Sequence, residues 1–429
     1  MPDPIIEHVY GRSVWDSRGR PTVEVEVWLK DGCIGRAIAP AGASKGAGEA
    51  LDLRDGGRRF GGHGVETAVA NVNGAIAARL KGIDARDQAG ADAILVALDG
   101  RADRSHLGAN AMIATSMAIA HAAAASSHQP LWQYLHTGGE VVLPVPEIQI
   151  FGGGAHADGQ IDLQDFMVVP YGASSFREAM EWTSDVYRAA GARLSENGKL
   201  TGVADEGGYW PSFESNEHAI ESLVRAIEVA GLSPEHQMGV SLDIASSNFF
   251  NGQGYMLKCE GQEFTTSAWY RRLAGWMATF PILMMEDPFE QNDLASHAAF
   301  TAEFGNRAQI VGDDLLVTQI SNIAAAAKQR ACTALLCKPN QVGTLTEAHA
   351  AHQAAKQLGW GTIVSARSGE TEDVTITHLA LGWGIAQIKV GSFTRSERMA
   401  KWNELLRFED RLGGAATYAG RAPFTGVGR

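Results

Sequence analysis

The segment AQIVGDDLLVTQISNIAAAAKQRACTALLCK, residues 308–338, contains two short apolar runs separated by an alanine-rich stretch with helical spacing. The first run ends in Asp313 and Asp314, and the second ends in Lys338. Short apolar runs are typical of buried strands, and a helix between two of them joins the strands in parallel order. The segment therefore predicts a strand–helix–strand unit in which each strand leads into an ionisable residue.

The same unit recurs beyond about residue 140. Other apolar runs lead into Asp243, Glu286, Arg367 and Lys389, which makes six ionic positions in all. The five from Glu286 onward are 27, 25, 29 and 22 residues apart. This spacing predicts a parallel β/α barrel over residues 140–429, in which the carboxyl ends of the strands share one rim. We expect the ionic groups to converge there, the alternative being six separate solvated strand ends.

The first 135 residues have a different order of elements. Segments that resemble strands, of which TVEVEVWLKDG (22–32) alternates most clearly, precede segments with helical spacing. Strands followed by segregated helices predict an α+β domain over residues 1–135. A chain of 429 residues is long enough for two such domains.

The composition argues against several classes of function. The net charge of −13 disfavours binding to nucleic acid or to anionic membranes, because both require basic surfaces. The N-terminus lacks a secretory signal pattern, and the most apolar stretch, residues 111–127, contains His121 and predicts a buried helix rather than a membrane span. The four cysteines show no CxxC spacing and are expected to be reduced packing residues of a cytoplasmic protein.

Three of the converging groups form an all-oxygen set. Asp243, Glu286 and Asp313 would repel one another unless a cation lay among them, and oxygen ligands favour Mg²⁺ over zinc. Burial and a nearby cation can lower the pKa of Lys338, which makes it a candidate general base for a proton beside a metal-bound carboxylate. The alternative is a structural lysine paired with Asp314 or Glu286.

Loops between the predicted strands supply further candidates. VADEGGYWP carries the adjacent carboxylates Asp205 and Glu206, which are candidates for a general acid, although DEGG is also a common surface turn. FGGGAHADGQ carries His156, which alone would usually have no function. APAGASKGAGEA carries Ser44 and Lys45 in a segment of small residues that suits a moving lid.

The stretch TIVSARSGETED (362–373) joins a β-branched run to Arg367 and Ser368 at a glycine turn. The planar donors of Arg and the hydroxyl of Ser suit a phosphoryl group. Lys389, on the next predicted strand, can balance a carboxylate. The residues together predict a Mg²⁺ enzyme that removes a proton beside the carboxylate of a small phosphorylated acid.

Over essentially its whole length the chain resembles the enolase family. The matching motifs, in order, are DSRGRPTVEVEV, GASKGAGEALDLRDG, GANA, ADEGGYWP, LDIASSNFF, EDPFEQND, VGDDLLVT, CKPNQVGTLTE, SARSGETED and IKVGSFTRSER. The resemblance implies an α/β fold with an enolase-like modified (β/α)8 barrel, an N-terminal α+β cap and a homodimer. It also implies two Mg²⁺ ions and elimination of water from 2-phosphoglycerate to give phosphoenolpyruvate.

The resemblance implies a role for each candidate residue. Lys338 matches the base for the α-proton, and Glu206 matches the acid that protonates the departing β-hydroxyl. The other matches are the first-metal ligands Asp243, Glu286 and Asp313, the second-metal lid ligand Ser44, and the substrate contacts His156, Asp165, Arg367, Ser368 and Lys389.

The chain departs from the family pattern mainly near the predicted phosphoryl position and the lid. Ala366 stands where the family has His, and Lys45 stands where Thr is usual. Ala366 opens volume and Lys45 adds positive charge, which together suit a phosphoryl group that carries a further carboxylate. The remaining departures are Gly152 for Asn, Asp165 for Glu, Asn248 for Glu, and Pro339 after the base lysine.

These departures favour the same elimination on a different substrate. We therefore predict a lyase specialised for a carboxyphosphonate, like the enolase relative of bacterial phosphonate antibiotic biosynthesis that makes the enol ester of such an acid. The alternatives are an ordinary glycolytic enolase, an enzyme for another enol-forming substrate, and an inactive enolase-like binding or structural protein. The expected partners are a small anionic acid and a second copy of the chain.

Overall fold

The N-terminal part of the chain is an antiparallel sheet covered by helices. The computed structural model describes residues 3–43, 45–157 and 159–424. The sheet has the order β1-β2-β3, and its strands are β1 (Ile6–Trp15), β2 (Pro21–Leu29) and β3 (Ile34–Ile38). The helices that follow are α1 (Glu66–Asn71), α2 (Ala77–Leu80), α3 (Gln88–Asp99), α4 (Ala109–Ser126) and α5 (Leu131–Leu135).

The alanine-rich helix α4 is buried, as predicted, and packs on β2 and β3. A side chain on Gly35 of β3 would collide with the backbone of Ala118 and Ala122, so glycine is required for this close approach. Among the described residues, no helix combines the length and apolar content needed to cross a bilayer.

The rest of the chain forms a closed barrel of eight strands in the order β5-β6-β7-β10-β11-β12-β13-β14. Its strands are β5 (Val145–Gly152), β6 (Asp165–Val169), β7 (Gly239–Asp243), β10 (Ile282–Glu286), β11 (Gln309–Gly312), β12 (Ala334–Cys337), β13 (Gly361–Ser365) and β14 (Gln387–Ser392). The strands outside the barrel are β4 (Val141–Leu143), which pairs with β15 (Ala416–Tyr418), and the hairpin of β8 (Tyr255–Leu257) and β9 (Gln262–Phe264).

Helices connect the barrel strands. They are α6 (Phe176–Glu196), α7 (Asn216–Val229), α8 (Thr266–Thr279), α9 (Leu294–Phe304), α10 (Ile320–Gln329), α11 (Leu345–Gln357), α12 (Thr375–Trp383) and α13 (Ser396–Leu412). The predicted fold, an α/β barrel with an N-terminal α+β part, is confirmed.

Strand β6 runs antiparallel to both of its neighbours, whereas the other barrel pairs are parallel. This reversal brings the beginning of β6 to the rim where the other strands end. Asp165 therefore pairs in register with Asp243 of β7, and Asp243 pairs with Glu286 of β10. Three carboxylates thus lie side by side on three adjacent strands.

Two local features differ from the expectation. The helical spacing of residues 65–83 is interrupted by a π-helical turn, Val72–Ile76, in which the Asn73 amide bonds both the N–H (2.7 Å) and the carbonyl (2.9 Å) of Gly11. Lys389 lies inside β14 rather than at its end.

The N-terminal part is hydrogen-bonded to the barrel at the beginning of α11. The backbone N–H of Leu345 donates to the Ser116 hydroxyl, and the N–H of Thr346 donates to the Asp92 carboxylate, each over 3.0 Å. The first N–H groups of a helix have no partner within the helix. Side chains of the N-terminal part therefore cap a helix of the barrel.

Candidate active site

A single pocket at the barrel rim brings most of the predicted residues together. Gly42 and Ala43 of the N-terminal part line one side of it. The predicted residues that line it are His156, Asp165, Glu206, Lys338, Ala366, Arg367, Ser368 and Lys389. Convergence on one rim follows from the parallel barrel, because β12, β13 and β14 all lead into it.

The amine of Lys389 lies among the acidic side chains of this rim. Its Nζ is 2.8 Å from Asp243 Oδ2, 2.8 Å from Glu286 Oε2 and 3.3 Å from Asp165 Oδ2. Burial lowers the pKa of Lys389, but Asp243 and Glu286 outweigh burial and raise that pKa well above its usual range. Lys389 therefore stays protonated and neutralises part of the carboxylate charge.

The remaining negative charge at the rim fits a cation. Glu286 Oε1 is buried and has no hydrogen-bond partner among the described residues. Burial, Asp243 and Asp313 raise the pKa of Glu286 well above its usual range, because Lys389 offsets the surrounding negative charge only in part. Asp243, Glu286 and Asp313 offer oxygen atoms only, the donor set that Mg²⁺ prefers.

A second acidic group lies beside this set. Carboxylate oxygens of Asp287, Asp313 and Asp314 lie within 4.8 Å of one another. However, Asp287 accepts hydrogen bonds from the backbone N–H groups of Asp313 (3.1 Å) and Asp314 (2.6 Å). Asp287 therefore fixes the turn after β11 and orients Asp313, which favours a structural role for Asp287.

Lys338 lies directly after β12 and is paired with Asp313, whose Oδ2 is 2.5 Å from Lys338 Nζ. Burial lowers the pKa of Lys338, but Asp313 reverses the effect and the pKa is raised above its usual value. From the sequence we predicted a lowered pKa for Lys338, because we expected a metal cation beside its amine. The nearest charged group of the chain is instead the carboxylate of Asp313. Its partner is Asp313, not the Asp314 or Glu286 of the structural alternative.

His156 and Glu206 face each other within the pocket. Both are buried, and His156 Nδ1 lies 3.8 Å from Glu206 Oε1. His156 Nδ1 has no hydrogen-bond partner in the described part of the chain. The backbone carbonyl of Glu206 accepts from the N–H of Ser392 at the end of β14, over 2.9 Å, which holds the DEGG turn against the barrel.

The corner of the pocket at Arg367 and Ser368 contains two residues that sequence reasoning missed. Arg367 NH1 lies 3.1 Å from Glu49 Oε2, and Arg18 NH1 donates to the Ser368 hydroxyl over 3.3 Å. Burial lowers the pKa of Arg367, but Glu49 outweighs burial and the pKa is raised. Glu49 and Arg18 belong to motifs quoted above, but nothing in their spacing indicated which barrel residues they contact.

Ala366, between these groups, lines the pocket with a small side chain, and its N–H donates to the Lys389 carbonyl over 2.9 Å.

Two amide side chains bind the carboxylates of the rim. Asp165 accepts from the Gln149 amide, and Gln164 donates to Asp243 over 3.1 Å. Asn248, at another departure from the family, lies 3.4 Å from Gln164 and so reaches the rim only indirectly.

Glu147 of β5 is a further buried carboxylate next to the rim. It pairs in register with Lys389, and it accepts from the Ser241 hydroxyl over 3.1 Å. Burial raises the pKa of Glu147 to about 7. Sequence reasoning missed Glu147, although its position as an acidic residue inside the apolar run VPEIQI could have identified it.

The structure does not bring Lys45 into the pocket. Lys45 is exposed, and its Nζ lies 4.0 Å from Asp52 Oδ2. Ser44 lies outside the described residues. The roles of both residues therefore remain predictions.

Comparison with known families agrees with this geometry. The family model of the enolase N-terminal domain matches residues 6–135, and the model of the enolase C-terminal TIM barrel domain matches residues 140–426. The two matches together span nearly the whole chain and include every pocket residue named above. The chain belongs to the enolase family.

Proposed function

We propose that the chain is a Mg²⁺-dependent lyase that forms an enol ester, and that it acts as a carboxyphosphonoenolpyruvate synthase. The substrate would be a 2-phosphoglycerate-like acid whose phosphorus also carries a carboxylate. The observation that carries this proposal is the position of Ala366, which lines the pocket beside Arg367 and Ser368. The missing side-chain volume lies where a phosphoryl group with an extra carboxylate would need room.

The pocket residues can carry out the elimination. The Lys338 amine takes the α-proton, a carbon–carbon double bond forms, and the β-hydroxyl leaves as water with a proton from Glu206. Mg²⁺ held by Asp243, Glu286 and Asp313 would neutralise these carboxylates and the charge that develops on the substrate carboxylate. Burial of Lys338 would then favour its neutral form, because Asp313 would no longer oppose that effect.

The other end of the pocket suits an anion with more than one acidic group. Arg367 and Ser368 line the pocket, and Arg18 contacts Ser368. Lys45 on the lid would add another positive charge on closure. By family resemblance, the proposal also includes a second Mg²⁺ bound through Ser44 and a homodimeric enzyme.

The second candidate is an ordinary glycolytic enolase. Lys338, Glu206 and the three carboxylates are all present, and elimination from 2-phosphoglycerate needs no other chemistry. The test compares kcat/KM for 2-phosphoglycerate with kcat/KM for the corresponding carboxyphosphonate ester of glycerate. A clear preference for the carboxyphosphonate ester supports the proposal, and efficient turnover of 2-phosphoglycerate supports the glycolytic alternative.

Exchange of the α-proton with solvent tests the shared chemistry separately. In D₂O with Mg²⁺, the enzyme should exchange this proton in its substrate, and Lys338→Ala should slow exchange by about 100-fold or more. The control is Lys328→Ala at an exposed position of α10, which should exchange at the wild-type rate. An enolase-like protein with no catalytic activity would exchange the α-proton of neither substrate.

A further inference from the structure

A second cavity, of about 310 Å³, lies beside β5 between helices α6 and α7. Its apolar wall includes Phe151, Leu194 and Phe213, and its polar rim includes Arg193, Lys199 and His218. The volume lies within the range of small-molecule binding pockets, which combine apolar walls with a few placed polar groups. The mechanism proposed above uses none of these side chains.

Aromatic rings form one side of this cavity. Phe151 and Phe213 pack edge to face with their centroids 5.2 Å apart, and the His218 ring lies 5.3 Å from Phe213. Edge-to-face and offset contacts are the favourable arrangements between aromatic rings. The cavity therefore offers a surface suited to a planar ring.

Two cationic side chains, Arg193 and Lys199, line the rim of the cavity. Lys199 Nζ lies 5.9 Å from the Phe213 centroid, and the Lys199 backbone is fixed by a hydrogen bond to the Leu194 carbonyl at the end of α6, over 2.8 Å. Neither Arg193 nor Lys199 forms an ion pair with a carboxylate in the part of the chain that the structure describes. Glu214 is the acidic lining residue, so the cavity is locally positive in a protein of net charge −13.

We propose that this cavity binds a small aromatic anion. The ring would contact Phe151 and Phe213, and the anionic group would take donors from Arg193 and Lys199. The inference is independent of the substrate of the rim pocket. The cavity is close in sequence to two segments of the rim pocket, because Phe151 precedes the His156 loop and Phe213 follows the Glu206 turn.

The experiment is calorimetric titration of the full-length chain with 1-naphthalenesulfonate as the probe. We expect saturable binding at one site, a Kd at least tenfold higher in Arg193→Gln, and a similar loss in Ser222→Phe, which fills the cavity. The matched control is Arg188→Gln, an exposed position on the same helix, which should keep the wild-type Kd. Thermal unfolding of each variant confirms that it is folded.

Four outcomes would overturn the inference. They are absence of saturable binding to the wild type at millimolar probe, wild-type affinity in Arg193→Gln, equal affinity for the uncharged 1-naphthalenemethanol, and displacement of the probe by 2-phosphoglycerate. The last result would place the probe in the rim pocket instead.

Discussion

Glu49 of the N-terminal part is the ion-pair partner of the buried Arg367 in the barrel, 318 residues away in sequence, with 3.1 Å between Glu49 Oε2 and Arg367 NH1. The same carboxylate accepts from the Gly46 N–H over 3.0 Å and from the Gln341 amide over 3.2 Å. One side chain thus joins Gly46, the turn after Lys338 and Arg367.

We expect Glu49→Gln to lower the free energy of unfolding by about 3 kcal/mol, because a buried cation loses its anionic partner. Inorganic phosphate should recover part of this loss by binding near Arg367, and should stabilise the variant more than the wild type. Urea unfolding with and without phosphate measures both effects. Glu66→Gln, at an exposed pair with Arg59, is the control; equal stabilisation of wild type and Glu49→Gln by phosphate would contradict the prediction.

Substitutions can distinguish the two acidic clusters at the rim as the binding site for Mg²⁺. One cluster is Asp243, Glu286 and Asp313, and the other is Asp287, Asp313 and Asp314. If Asp243, Glu286 and Asp313 hold the ion, Glu286→Gln should weaken Mg²⁺ binding at least tenfold, because an amide oxygen carries no charge. Asp314→Asn should have a much smaller effect. Titration calorimetry with Mg²⁺ compares the two variants, and a larger loss in Asp314→Asn would place the ion at the Asp287 group instead.

The pocket corner at residue 366 should determine substrate choice. We expect Ala366→His to raise kcat/KM for 2-phosphoglycerate and to lower it for the carboxyphosphonate ester, because the ring occupies the volume proposed for the extra carboxylate. Ala366→Val fills volume without a hydrogen-bonding ring and separates the two contributions. Unchanged turnover of both substrates in Ala366→His would rule out this account of Ala366.

The buried His297 should lower the free energy of unfolding in mild acid. Burial lowers the pKa of His297 from 6.5 to about 4, and the hydrogen bond between its Nε2 and the Phe289 carbonyl, over 3.1 Å, offsets this effect only in part. The unfolded chain therefore takes up a proton below pH 6.5 that the native state resists. This stability is present above pH 6.5 and is lost as the pH falls toward 4.

Between pH 7 and pH 5 we expect this single group to contribute a loss of roughly 2 kcal/mol in the free energy of unfolding. Urea unfolding of His297→Gln at both values should show a correspondingly smaller change than the wild type. His236→Gln, at an exposed position, is the control. The same pH dependence in His297→Gln and in the wild type would show that His297 does not contribute.

The repeated part of the barrel was predictable from sequence because its geometry is regular. Once strands alternate with helices, the residue after each apolar run must lie at one rim, and Asp313 and Lys338 do so. Strand β6 breaks this rule: periodicity gave no sign that it is reversed, and Asp165, at its beginning, came only from the family resemblance.

The remaining site residues depend on contacts between distant parts of the chain. Glu49 and Arg18 contact Arg367 and Ser368 across the boundary between the N-terminal part and the barrel, and no local pattern encodes these contacts. The direction of the Lys338 pKa shift likewise depends on which charge lies nearest, here Asp313. Such quantities follow from three-dimensional position rather than from spacing.

The capping of α11 by Ser116 and Asp92 has a consequence for how the molecule melts. A barrel fragment made alone would leave the Leu345 and Thr346 amides to water in place of their side-chain acceptors, and an isolated N-terminal fragment would expose the buried carboxyl group of Asp92. The N-terminal part and the barrel should therefore unfold together, in one calorimetric transition, although each corresponds to a separate family domain.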